Sequence, residues 1–108
     1  MGRAMNKTYI GSFGVDSGQV MIGDPCYLKD WSDNEDDEFN TYPQRAGEYS
    51  YLGACQATIE NKTQAGVLGG GLSVVAVTGY GDGVYPVYAE YNSDGRISKI
   101  TIEFEDEE

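Results

Sequence analysis

The chain has 108 residues, with eighteen acidic against seven basic side chains, no histidine, and a formal net charge of −11. That length suits one domain with a single core. Without imidazole, most zinc and iron sites, the Ser-His and Cys-His nucleophile pairs and most acid–base catalysis near neutral pH are out of reach. The shortage of basic residues disfavours nucleic-acid binding, because counterion release from phosphates needs a basic patch. An enzyme is not expected.

In chain order, residues 1–7 read as a flexible lead-in and 8–104 as a single β domain. Fifteen glycines and nine tyrosines favour tight turns and half-buried pleated surfaces. Residues 8–15 carry aromatic and β-favouring side chains, Asp16-Ser17-Gly18 is a turn signal, and 19–23 follow as a short strand; 8–23 are expected to form a hairpin. Asp24-Pro25 ends the second strand, since proline cannot donate to a central ladder. Cys26, Tyr27 and Leu28 are then expected to turn back onto the core, with a short helix at 28–31 an option.

Residues 29–47 show no periodicity and form a long acidic loop, with Trp31, Phe39 and Tyr42 as apolar anchors. Residues 50–60 read as a strand with Tyr51, Leu52, Cys55, Ala57 and Ile59 available for burial. The apolar run 72–78 reads as a buried strand. Residues 84–91 alternate, placing Tyr85, Val87, Ala89 and Tyr91 on one face, and Asn92-Ser93-Asp94-Gly95 is a hairpin signal. Residues 96–104 return with Ile100, Ile102 and Phe104 on one face; Ile97 is out of phase, which predicts a bulge near Ser98-Lys99. The expected fold is all-β: an antiparallel sandwich or small, partly open barrel of six or seven strands.

The charge is unevenly spread. Asp30, Asp33, Glu35, Asp36, Asp37 and Glu38 lie in one stretch, and Glu103 with the acidic tail 105–108 (Glu105, Asp106, Glu107 and Glu108) closes the chain. The remaining seven acids nearly balance six bases once Lys29 is set aside. A protein with a basic surface is the natural complement. Trp31, Asp33, Glu35, Asp36, Asp37, Glu38 and Phe39 are therefore the expected partner-binding residues.

Two short stretches compete as ligand sites. Gly81-Asp82-Gly83 before Tyr85-Pro86-Val87-Tyr88 would let backbone approach a ligand beside the Asp82 carboxylate, but turn chemistry alone explains Gly-Asp-Gly and is preferred. In Gly23-Asp24-Pro25-Cys26-Tyr27, Asp24 is either a local cap for backbone N–H groups or a ligand-site carboxylate. If Asp24 and Asp82 met, they could hold Ca²⁺ or a small molecule such as a nucleotide, with Tyr27 and Tyr85 beside them. Gly69-Gly70-Gly71 lacks the lysine and hydroxyl of a phosphate loop, and the acidic loop lacks calcium-loop spacing. No cofactor or resident metal is expected. Cys26 and Cys55 have neither a histidine partner nor CxxC spacing, and are expected to be free thiols in a reducing cytoplasm, with no membrane span.

Asp16-Ser17-Gly18 with Gly23-Asp24-Pro25-Cys26-Tyr27, and later Gly81-Asp82-Gly83, Tyr85-Pro86-Val87-Tyr88 and Asp94-Gly95-Arg96, resemble a family of uncharacterised bacterial and bacteriophage domains over most of residues 8–104. The resemblance implies a phage or bacterial origin and no defined activity. The leading expectation is a non-enzymatic binding protein, of the kind phages use to inhibit a host defence factor stoichiometrically; the alternative is a ligand or Ca²⁺ module built on Asp24 and Asp82.

Overall fold

The computed structural model describes residues 7–32 and 47–105. Most of the lead-in, residues 33–46 of the acidic loop and 106–108 of the tail lie outside that range. The chain is mostly β. Six strands, β1 (Lys7–Val15), β2 (Gln19–Gly23), β3 (Ala65–Leu68), β4 (Ser73–Val77), β5 (Gly83–Tyr91) and β6 (Ile97–Ile102), form two three-stranded antiparallel sheets of order β1-β5-β6 and β2-β4-β3. Neither sheet closes into a barrel among the described residues. One α-helix, α1 (Tyr51–Glu60), and one 3-10 helix (Pro25–Asp30) complete the elements. The chain divides into two compact units, the first made of the described parts of Met1–Gly18 with Thr78–Glu108 and the second of Gln19–Val77.

Asp16-Ser17-Gly18 does turn, with Gly18 at φ +74°, but the expected 8–23 hairpin is absent. β1 pairs with β5, Phe13 opposite Tyr85 and Lys7 opposite Glu90, while β2 pairs with β4, Ile22 opposite Val74. Local alternation marks a strand but not its partner. In the first unit, Tyr85 and Ala89 are buried on the face of β5 expected to be apolar, together with Val15 at the end of β1. The Tyr85 ring meets Phe13 at 6.5 Å and Phe104, edge to face, at 5.2 Å. The hairpin at Asn92–Gly95 forms: Asn92 Oδ1 accepts from Asp94 N and Arg96 N, and Gly95 sits at φ +80°. Between Glu90↔Lys99 and Tyr91↔Ile97, Ser98 is the extra residue, so the bulge falls where Ile97 breaks phase.

The second unit carries the largest departure from the sequence reading. Residues 51–60 are helical, not extended. Ser50, fully buried in extended conformation, accepts a hydrogen bond from Gly53 N at 2.9 Å and so caps the helix. α1 packs on β3 and β4, with Ala54, Ala57, Leu68, Val75 and Tyr49 as core and Met21, Trp31 and Leu72 around it. Tyr51 and Ile59, expected inside, are exposed. β4 is buried on one side only: Ser73 and Val75 are buried, whereas Val74 stands exposed in a cross-strand row with Ile22 and Val67. Cys26, Tyr27 and Leu28 are also exposed rather than folded back: none of the six residues of the 3-10 helix is buried.

Candidate functional site

Asp24 is the N-cap of the 3-10 helix. Its Oδ1 accepts from Cys26 N at 2.9 Å, its carbonyl accepts from Tyr27 N at 3.0 Å, and Pro25 starts the helix with φ already fixed. One carboxylate oxygen is thus used locally, and Tyr27 is carried on the same short helix, exposed. Asp82 is exposed at a turn built by its neighbours. The Gly81 carbonyl accepts both the Thr78 hydroxyl, at 2.8 Å, and the Tyr85 phenol, at 2.7 Å. Gly81 has φ +84°, a conformation glycine adopts without a Cβ clash. The Asp82 carboxylate has no bonding partner among the described residues. Asp24 lies in the second unit and Asp82 in the first. Among the described residues no group of three His, Cys, Asp or Glu side chains could hold a metal ion, and no helix is long and apolar enough to cross a membrane.

Of the expected partner-binding residues only Trp31 is described. It is half-buried and its ring stands edge to face on Tyr49 at 5.0 Å, so it packs against the core. Asp33, Glu35, Asp36, Asp37, Glu38 and Phe39 lie outside the described residues. Cys26 and Cys55 are free thiols; Cys55 Sγ accepts from Gln19 Nε2 at 3.4 Å.

A feature the sequence reading missed lies where β6 ends beside β5. Pro86 sits in the central strand of its sheet, normally a forbidden place for proline. A strand residue's N and C=O point to the same side, and the Pro86 carbonyl accepts from Glu103 N at 3.3 Å. The donorless proline nitrogen therefore faces the side on which β6 has already given out, and no bond to β1 is lost. The ladder stops there and leaves an open hollow of about 270 Å³ lined by Val84, Tyr85, Pro86, Tyr88, Glu103, Phe104 and Glu105.

Beside it, the Lys7 ammonium lies 4.6 Å from the Tyr88 ring centroid and pairs with the Glu103 carboxylate. Tyr9 stands edge to face on the same Tyr88 ring at 5.9 Å. Glu105 accepts a hydrogen bond from the exposed Tyr80 phenol; that bond, then the carboxylate's charge, and to a smaller degree desolvation, push the phenol above its ordinary value. The signal in the sequence was Val84, Pro86 and Tyr88 alternating opposite the buried set, followed by Glu103 and Glu105 at the same period of two.

Fold and surface together define a small, mostly β protein with an acidic, aromatic hollow at a sheet end. The chain belongs to the family described as protein of unknown function (DUF4241), whose model matches residues 3–102, in keeping with the uncharacterised family the motifs resemble. No curated protein and no solved structure matches it.

Proposed function

We propose that the protein acts without catalysis, by stoichiometric binding of a partner that presents a basic surface, in the manner of a phage accessory protein that masks a host defence factor. The observation that carries this reading is the placement of negative charge: Glu103 and Glu105 line an open hollow at the head of the acidic run to Glu108, and a second acidic stretch spans Asp30 to Glu38. Complementary charge speeds encounter and selects partners more than it tightens them. The exposed row Ile22, Val74 and Val67 adds apolar contact area of the kind interfaces use. A cytoplasmic setting goes with this reading. The alternative, a ligand or Ca²⁺ module on Asp24 and Asp82, is less well supported, because Asp24 already spends an oxygen on its helix cap.

The test is association kinetics with a purified basic candidate partner, such as a host defence factor, across ionic strength. The Debye length falls from about 30 Å at 0.01 M salt to about 8 Å at 0.15 M, so the on-rate should drop steeply over that range. Neutralising Asp33, Glu35, Asp36, Asp37 and Glu38 together should slow association and leave thermal unfolding unchanged. An on-rate indifferent to both salt and these substitutions would end the electrostatic reading.

A further inference from the structure

We propose that the hollow between β5 and residues 103–105 is a seat for one cationic side chain, an arginine guanidinium or lysine ammonium, of a partner protein. This rests on the basic-partner reading and names where one contact of that partner would fall.

Three observations carry it. The first is that the protein already holds an ammonium in this environment: Lys7 lies over the Tyr88 ring and pairs with Glu103. A ring face with a carboxylate beside it attracts cations through both the quadrupole and the charge. The second is the charge balance. Lys7 compensates Glu103, whereas Glu105 forms no ion pair among the described residues. Among the described residues the seat therefore keeps one negative charge, which a single monocation cancels. The third is shape. The hollow is open and about 270 Å³, room for a side-chain head group but small for a folded loop, and Val84 and Pro86 give the aliphatic stem of a lysine or arginine an apolar wall. Arginine suits it better than lysine, because a planar guanidinium can stack on a ring while hydrogen-bonding a carboxylate.

Lys7 then acts as an internal competitor, holding Glu103 and one face of Tyr88 that a ligand would otherwise use.

The test is a ¹H–¹⁵N NMR titration of the full chain with N-acetyl-arginine methylamide, beside the isosteric neutral citrulline compound. Saturable shifts at Tyr88 and at residues 103–105, present with arginine and absent with citrulline, are expected. Glu105→Gln and Tyr88→Leu should each weaken binding roughly two- to fivefold, the effect of losing one exposed cation contact. Glu105 is exposed, so the effect of Glu105→Gln stands even if Tyr88→Leu fails to fold. Lys7→Met should tighten binding, which a purely structural role for these residues does not predict. Equal shifts for arginine and citrulline, or shifts confined to residues 30–38, would overturn the seat. The latter result leaves the basic-partner reading intact, whereas that reading fails separately if association proves independent of salt.

Discussion

Gly53 lies so close to Glu48 that a Cβ on it would overlap the Glu48 carbonyl oxygen and come within 2.7 Å of the Glu48 carbonyl carbon and amide nitrogen. Helix propensity alone says that Gly→Ala inside α1 should gain about 1 kcal/mol. The contact reverses the sign, since overpacking of this kind costs about 1–3 kcal/mol. Gly53→Ala should lower the urea midpoint of unfolding; a higher midpoint would show that the chain before the helix yields freely.

Two buried serines should respond in opposite ways. Ser50 Oγ caps α1 and donates to Glu48 Oε1 at 3.1 Å, so Ser50→Ala should cost about 0.5–2 kcal/mol. Ser73 Oγ is buried with no hydrogen-bond partner among the described residues. Deleting an unsatisfied hydroxyl removes a desolvation penalty of about 1–3 kcal/mol, set against a small cavity. Ser73→Ala should leave stability unchanged or raise it. A destabilisation as large as that of Ser50→Ala would reveal a bond that forms in solution.

The pH response of Tyr80 follows from its partner. The neutral phenol donates to Glu105, and ionisation would both break that bond and set two negative charges together. The folded value is therefore raised above the unfolded 10.0. The stabilisation is complete below the unfolded value and is lost as pH rises through the folded one. NMR titration of labelled tyrosine rings should show Tyr80 ionising late, and Glu105→Gln should bring it back toward the ordinary value. An unchanged midpoint in that variant would remove Glu105 as the cause.

Asp24 and Asp82 are separable by stability. Asp24→Ala removes the cap of the 3-10 helix and should cost about 0.5–1 kcal/mol, the low end for an exposed cap. Asp82→Asn should fall within about 0.5 kcal/mol of the parent, as exposed substitutions without partners do. If thermal melts with and without millimolar Ca²⁺ differ for the parent and coincide for Asp82→Asn, the alternative ligand-site reading gains and the preferred one loses.

What could be read from the chain was what local chemistry decides. Asn92–Gly95 turns because its own side chain and a glycine make the turn, and Ile97's phase error is resolved by Ser98 within one residue. Helix α1 was misread because its buried set, Leu52, Gly53, Ala54, Gln56, Ala57 and Thr58, spreads around the helix and includes polar residues, so no clear period of 3.6 shows. The overlooked clue was Ser50, a good N-cap before residues that lack strict alternation. Strand pairing is illegible for β1 because its partner lies 68 to 83 residues on, from Val15↔Gly83 to Lys7↔Glu90. The hollow goes unseen for a related reason: Pro86 is harmless only because its nitrogen turns to the side on which β6 has ended, and that placement belongs to the tertiary structure.

The placement of β1 also shapes how the chain is made. Its ladder partner β5 ends at Tyr91, so a growing polypeptide exposes Tyr9, Ile10 and Phe13 on an unpaired strand while more than sixty further residues are added. By contrast, every strand of the β2-β4-β3 sheet has been synthesised by Val77. Non-local pairing of this kind must overcome its loop-closure entropy before any contact repays it. Strand β1 thus waits for a partner made much later, and until then it is open to mispairing or to capture by a chaperone.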